Sequence, residues 1–317
     1  MIAGKLTSAY ETMRDRGPLV MLSAIGRLGQ AAAEQAFGRR FLLRSIHNYR
    51  MYLDLQDPGL SRSLLLFGTR EVDHKIMLEK IVRPGMTIFD IGGNIGYYPL
   101  MELSLLRGTG KMVIAEPSPS NVALLRRNLD LNGYGDVLVL DAAVSDRPGR
   151  RNFYLSEQSN LGTFHPVGHG SETLTGGTVD VETLTVPIMT ERFGPPDLLR
   201  MDVEGHEVEV LNGMIEDVSR GAYAPTVIFE PHLSRYSPGH DMAATLRALF
   251  SFGYRVPMLS TSDRGRALIA AKGYRPGERI ATDGVYRTLF ADISHDDAID
   301  LLCNTGGART VILAKGA

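Results

Sequence analysis

The stretch Met86 to Gly96, Met-Thr-Ile-Phe-Asp-Ile-Gly-Gly-Asn-Ile-Gly, limits what this chain can fold into more than any other. Thr87 to Ile91 is a short run rich in β-branched and aromatic residues, the pattern of a strand buried in a parallel sheet. It carries Asp90 at its end and breaks into Gly92, Gly93, Asn94 and Gly96; Tyr97 to Leu106 then carries apolar residues at helical spacing. A strand that turns through glycines into a helix lets a ligand approach the backbone, with the helix N-terminus aimed at it. The spacing is Asp-x-Gly-x-Asn-x-Gly, not the G-x-G-x-x-G of dinucleotide-binding folds. An acid beside such a loop suits a cationic ligand better than a pyrophosphate. The plain alternative is a tight strand-to-helix turn.

Around this stretch, apolar runs and helical patterns alternate. Lys111 to Ala115 reads as a second buried strand, ending at Glu116-Pro117, and Ser118 to Leu131 as a helix capped by Ser118 or Ser120 and stopped at Asn132-Gly133. Val137 to Leu140, Asp197 to Met201, Thr226 to Phe229 and Tyr254 to Met258 supply four more strands, with helices over His206 to Asn212 and Met242 to Phe252. Strand–helix alternation at this spacing predicts right-handed βαβ units and a doubly wound parallel sheet. Arg151 to Leu155 and Val179 to Leu184 read as extra edge strands flanking the Gly/Ser/Thr-rich loop Ser156 to Gly177, which holds His165 and His169. Residues 260–308 give little beyond a helix over Asp296 to Leu302; Thr310 to Leu313 is a last strand.

Upstream, Phe41 to Ile46 and Tyr49 to Leu55 around His47-Asn48 predict a small β-hairpin, followed by helices over Leu60 to Phe67 and Glu71 to Val82. Ser8-x-x-Glu11 is a capping-box pattern for a first helix. The uncharged run Gly17 to Gly26 weakly mimics a signal peptide, but Glu11 and Asp15 sit where a basic segment belongs. It is too short to span a bilayer. Residues 1–45 therefore read as an amphipathic helical arm for packing, with membrane-surface contact as the alternative, and 46–317 as one α/β domain. Net charge −2 gives no electrostatic case for nucleic acid, and the single cysteine, Cys303, excludes an internal disulfide or a cysteine zinc cluster. A lone buried thiol fits a reducing cytoplasm. A homo-oligomer is left open.

Five strand ends are acidic: Asp90, Glu116, Asp141, Asp202 and Glu230. Ligands of open α/β sheets bind at the carboxyl ends of strands near the switch point, and unpaired buried carboxylates are costly, so this set calls for a ligand, a metal or water. Glu116, 20 residues after Gly96, can accept both hydroxyls of a ribose. Asp141 could meet an adenine amino group, or be a turn residue.

These residues together resemble the FkbM family of S-adenosylmethionine-dependent methyltransferases. The resemblance rests on Asp90-Ile-Gly-Gly-Asn-Ile-Gly-Tyr-Tyr, Glu116-Pro-Ser-Pro-x-Asn121, Asn128-Leu-x-Leu-Asn132, Ala143-Val-Ser-Asp146 and Asp202-Val-Glu-Gly-x-Glu207, and covers roughly residues 48–233. Gly93 departs from it, since the family usually has alanine there. The resemblance implies a class I, Rossmann-like fold with a mostly parallel seven-stranded sheet. It also implies methyl transfer to a hydroxyl on a sugar, glycoside or other secondary metabolite, so the expected partner is a small-molecule or glycan acceptor. Asp90 and Gly92, Gly93, Asn94 and Gly96 would hold the methionine part of the cofactor, with Tyr97 beside them. Glu116 and Pro117 would sit at the ribose, and Asp141, Ala143 and Val144 at the adenine. A carboxylate near a sulfonium is favourable.

A hydroxyl acceptor must lose a proton, so a base is expected among Asp202, Glu204, His206 and His232, with Glu230 close by; Asp202, directly on a strand end, is the first choice. His232 could instead be a satisfied loop histidine, and Glu204 and Glu207 helix-terminal partners. A metal-assisted variant would hold Mg²⁺ through Asp202, Glu230 and His232, although no fixed ligand spacing supports it. A nicotinamide-dependent oxidoreductase shares the fold and Glu116 but lacks the glycine fingerprint. A non-catalytic module of a glycan-assembly pathway would have no need of Asp90 and Glu116.

Overall fold

The computed structural model describes residues 18–166, 171–282 and 285–316. Ser8, Glu11 and His169 lie outside them. The described chain begins with helix α1 (Pro18–Ala36) and a hairpin of β1 (Phe41–Ile46) and β2 (Tyr49–Asp54), turned at His47 with φ 51°. Helices α2 (Leu60–Phe67) and α3 (Val72–Ile81) lead to β3 (Thr87–Ile91). Then come α4 (Tyr97–Leu106), β4 (Lys111–Ala115), α5 (Pro119–Leu131), β5 (Leu138–Leu140) and β6 (Ala142–Val144). Strands β7 (Gly149–Ser156) and β8 (Leu174–Leu184) precede α6 (Val186–Phe193), β9 (Leu198–Met201), α7 (Glu207–Ser219), β10 (Thr226–Phe229) and α8 (Met242–Ser251). The chain closes through β11 (Tyr254–Ser262), α9 (Asp263–Ala271), β12 (Arg279–Thr282), β13 (Val285–Ile293), α10 (His295–Cys303) and β14 (Ala308–Lys315).

The main sheet has the order β12-β13-β11-β14-β10-β9-β3-β4-β5. Five neighbours, β10 through β5, run parallel, whereas β14, β11, β13 and β12 pair antiparallel. The doubly wound α/β arrangement is as expected, but the sheet is mixed and has nine strands instead of seven. Period-two alternation assigns its two faces. Phe89, Ile91, Val227 and Phe229 pack under α6, α7, α8 and α10, while Ile88, Ile114 and Ile228 pack under α3, α4, α5 and the hairpin. Two apolar layers thus sandwich the sheet. The chain winds outward from β3 to β5 and then returns to β9 on the other side of β3, which puts the switch point between β3 and β9.

Residues 260–308 hold what the sequence did not disclose. Strand β11 runs on through Ser260 and Thr261, both fully buried, and the Ser260 hydroxyl donates to Asp73 Oδ2 at 2.6 Å. A polar tail inside the core is tolerated because it is hydrogen-bonded, so hydropathy alone stopped the strand early. Strands β7 and β8 do not flank the main sheet; with β6 they make a separate three-stranded sheet. Strand β8 starts at Leu174, which shortens the expected loop.

The hairpin belongs to the main domain, and a boundary at residue 45/46 would cut through β1. Two asparagines of α5 clamp β2: Asn128 bonds the N–H and C=O of Tyr52 (2.7 and 3.2 Å), and Asn132 those of Arg50 (2.9 and 2.7 Å). Four helical residues rise about 6 Å and two strand residues about 6.7 Å, so an i,i+4 pair matches an i,i+2 pair. Helix α1 packs on α2 and buries Ala24 and Ala31, with Arg27 donating to the Leu66 carbonyl at 2.7 Å. No helix of the described residues is long and apolar enough to cross a membrane.

Candidate active site

The loop after β3 starts on backbone hydrogen bonds to β4. Gly92 and Gly93 N–H both donate to the Ala115 carbonyl (2.8 and 3.2 Å). Gly92 has φ 84°, and a Cβ there would collide with the Asp202 carbonyl, so the loops after β3 and β9 touch at the switch point. Only glycine fits. At Gly93 a Cβ would press into the Ile114 side chain, so alanine here needs Ile114 to move. Asn94 adopts φ 48°, with Oδ1 accepting from Ile95 N–H at 2.7 Å, a local bond that lets asparagine take the left-handed conformation. Gly96, at φ 98°, caps α4.

Glu116, 4% exposed, collects three donors: Asn94 N–H on Oε2 (2.9 Å), and Ser118 N–H (2.9 Å) and Asn121 Nδ2 (3.2 Å) on Oε1. Glu116, not the Ser118 hydroxyl, therefore satisfies the first turn of α5. Burial pushes its pKa up to about 7 against the pull of those donors. Oε1 is filled by its two donors, and Oε2 keeps one lone pair for a further donor. A cover closes over it: the Ser159 carbonyl accepts from Asn94 and Asn121, while Asp57 accepts from the N–H and hydroxyl of Ser159.

Beneath this cover lies a cavity of about 660 Å³, lined by Gly92, Gly93, Asn94, Tyr97, Glu116, Pro117, Ala143 and Val144, with Arg200, Asp202, Glu204 and His206 also on its wall. Gly96 lies at the adjacent helix cap, outside the wall. Asp141 does not reach the cavity. It turns toward α5 and pairs with Arg126 (2.5 Å) at the surface, as a turn residue would. Asp90 is fully buried and off the wall. Its Oδ1 pairs with Arg200, its register neighbour on β9, at 3.2 Å.

Arg200 was not singled out by the sequence reading. Its guanidinium also donates to the Gly92 carbonyl (3.0 Å), approaches Asp202 Oδ2 (3.4 Å) and lies 4.0 Å over the Tyr98 ring. The available signal was an arginine in the apolar run Leu-Leu-Arg-Met, which must find a buried carboxylate. Glu102 of α4 is buried near Asp90, and burial raises both carboxyls.

Asp202 keeps one buried oxygen, Oδ1, without a hydrogen-bond partner among the described residues, and burial pushes its pKa up to about 6. The other expected bases are committed elsewhere. His232 Nδ1 donates to Glu207 Oε1 (2.7 Å) and Nε2 faces Glu204 Oε2 (3.3 Å); the two acids hold it protonated well above its usual range. His206 is buried, its pKa lowered to about 4 by that burial, with Nε2 against Ser145 (3.0 Å) and Nδ1 against His165 (3.1 Å). Glu230 and His232 line a separate cavity of about 410 Å³, where Glu230 pairs with Arg309 at 2.6 Å and burial lifts its pKa to about 8. The expected metal trio therefore does not form. Glu204 takes the place of Glu230 beside Asp202 and His232, and a His232 that gives both protons to carboxylates has no lone pair for Mg²⁺.

A family model described as Methyltransferase FkbM domain matches residues 90–256, just over half of the chain. The chain is 27% identical to a hexuronic acid methyltransferase, AglP, of Haloferax volcanii, over 66% of this chain and 78% of that protein. It is also 27% identical to Methyltransferase 1 of Beauveria bassiana over 41% of this chain, spanning 59% of that protein. A crystal structure of Methyltransferase FkbM from Methylobacillus flagellatus superposes with a TM-score of 0.34 at 13% identity, over 73% of this chain and 53% of that one.

Proposed function

The chain belongs to the methyltransferase FkbM family, and from that premise we propose that it transfers a methyl group from S-adenosylmethionine to a hydroxyl of a sugar or glycoside. The similarity to a hexuronic acid methyltransferase supports a sugar acceptor. The observation that carries the reading is Asp202, a carboxylate with an unpartnered oxygen on the wall of the same cavity that Glu116 lines.

The residues fit the cofactor. Glu116 offers the remaining lone pair of Oε2 to a ribose hydroxyl. The backbone of Gly92 to Asn94, which no side chain could replace at Gly92, leaves room for the methionine part. Ala143 and Val144 give a small apolar wall for the adenine. When bound, S-adenosylmethionine supplies an electrophilic methyl group on a positively charged sulfur.

The chain's own residues do the rest by positioning and proton transfer. Asp202 Oδ1 accepts the acceptor hydroxyl's proton; a pKa of about 6 leaves it ionised at neutral pH yet basic enough to share that proton as the oxygen becomes nucleophilic. Arg200, on Asp202 Oδ2, fixes the carboxylate's orientation. The 158–162 segment, tied to Asn94, Asn121 and Asp57, keeps water from the reacting atoms. Calorimetric titration of S-adenosylmethionine and S-adenosylhomocysteine tests the assignment. Both should bind at one site per chain, and no heat from either would overturn it.

A further inference from the structure

Beside the cavity, His206 and Glu209 at the start of α7 and His165 from a distant segment point at one spot. His165 Nε2 lies 3.1 Å from His206 Nδ1, His206 Nδ1 lies 3.3 Å from Glu209 Oε2, and His165 Nε2 lies 4.0 Å from Glu209 Oε2. The circle through three points with those separations has a radius of about 2.1 Å, the bond length of zinc to imidazole nitrogen and to carboxylate oxygen.

The surrounding hydrogen bonds decide which atoms carry protons. Ser145 Oγ donates its one proton to Asp146 Oδ1 (3.1 Å) and accepts from Arg151 (3.1 Å), so at His206 Nε2 (3.0 Å) it can only accept. His206 therefore bears its proton on Nε2 and turns a lone pair from Nδ1 into the triangle. On the other side, His240 donates from Nε2 to the Gly205 carbonyl (2.7 Å) and from Nδ1 to Glu209 Oε1 (3.0 Å). That bond fixes the carboxylate and leaves Glu209 Oε2, buried and without a hydrogen bond, aimed inward. A lone pair and a carboxylate oxygen at 3.3 Å repel each other, and a cation between them, in place of a proton on His165 Nε2, relieves that repulsion. Ligands locked by a second layer of hydrogen bonds are how proteins present metal sites.

We propose that His165, His206 and Glu209 form a site for a divalent transition metal of the zinc class. The two imidazoles and one carboxylate suit zinc better than Mg²⁺, and three protein ligands leave a fourth position for water. The metal fastens two parts of the fold. His165 lies on the segment after β7, which is otherwise held by Thr163 Oγ1 on the Glu204 carbonyl (2.9 Å) and by Arg235 on the His165 carbonyl. His206 and Glu209 begin α7. The site does not depend on the methyl-transfer reading.

The test is titration of zinc chloride into the untagged, chelator-treated full chain by calorimetry, repeated with cobalt(II) to read its visible absorption. The wild type should bind one equivalent with a dissociation constant in the micromolar range or below, and cobalt should show the intense bands of a four-coordinate ion. His165→Ala, a partly exposed change that leaves the core intact, and Glu209→Gln should each weaken binding at least tenfold, while Glu204→Gln leaves it unchanged. No binding by the wild type, or a site lost with Glu204→Gln and kept with His165→Ala, would overturn the assignment.

Discussion

Glu116→Gln keeps the shape of the side chain and changes only what it can accept. One carboxylate oxygen becomes an NH₂ group, and either orientation sets it against a donor: Asn94 N–H at 2.9 Å, or Ser118 N–H at 2.9 Å together with Asn121 at 3.2 Å. Hydrogen bonds to a charged acceptor contribute roughly 1.5–3 kcal/mol each. The loop after β3 or the first turn of α5 loses at least one, and a ribose hydroxyl loses an acceptor as well. A total near 3 kcal/mol corresponds to about a hundredfold in dissociation constant. The pH response gives a second signature. The folded pKa of Glu116, about 7, lies above the value of an unfolded glutamate, so between about 4.5 and 7 the folded state binds the extra proton. Stability of the free protein therefore falls by ~3 kcal/mol as pH rises through that window, while affinity for the cofactor rises as the carboxylate ionises. Calorimetric titration of S-adenosylhomocysteine at pH 6 and pH 8 reads both effects. The wild type should bind more tightly at pH 8, and the variant should bind weakly at either pH. A variant that binds like the wild type would refute the role given to this carboxylate.

Three further substitutions probe the frame around it. Asn128→Ala removes the clamp on Tyr52 and a 2.8 Å bond to the Ile95 carbonyl, and should cost about 2–3 kcal/mol in denaturant unfolding. Arg200→Met leaves Asp90 buried without its partner and should cost about 3–5 kcal/mol; adding Asp90→Asn should recover part of the lost melting temperature. Gly92→Ala combines a φ of 84° with a Cβ directed at the Asp202 carbonyl, so it should abolish cofactor binding even where circular dichroism shows a folded protein.

The parts of this fold that were legible in the sequence are those where local chemistry and long-range structure coincide. The loop from Asp90 to Gly96 was readable because a strand, a left-handed turn and a helix start each require particular residues there. Glu116 was readable from its position at a strand tip. The clamping of β2 by Asn128 and Asn132 was not, because an i,i+4 pair on a helix says nothing about which strand it faces. Asp141 shows the limit of counting acids: its strand end is correct, but the chain turns at once into β6 and the side chain meets Arg126. Asp90 and Arg200 are separated by 110 residues, so only the register of β3 with β9 reveals that the acid meets an arginine inside the sheet. The same holds for His165 and His206, which the sequence keeps 41 residues apart.

The central claim, methyl transfer with Asp202 as base, is tested most directly by following transfer of isotopically labelled methyl from S-adenosylmethionine to a panel of glycosides and uronic acids, with the wild type and Asp202→Asn across pH 5 to 8. The account predicts a labelled sugar ether from the wild type, with a rate that rises through pH of about 6 as Asp202 ionises. Asp202→Asn should still bind the cofactor but transfer roughly 10²–10⁴-fold more slowly, with no step near pH 6. Label on a carboxylate instead of a hydroxyl, at a rate that Asp202→Asn leaves unchanged, would contradict it.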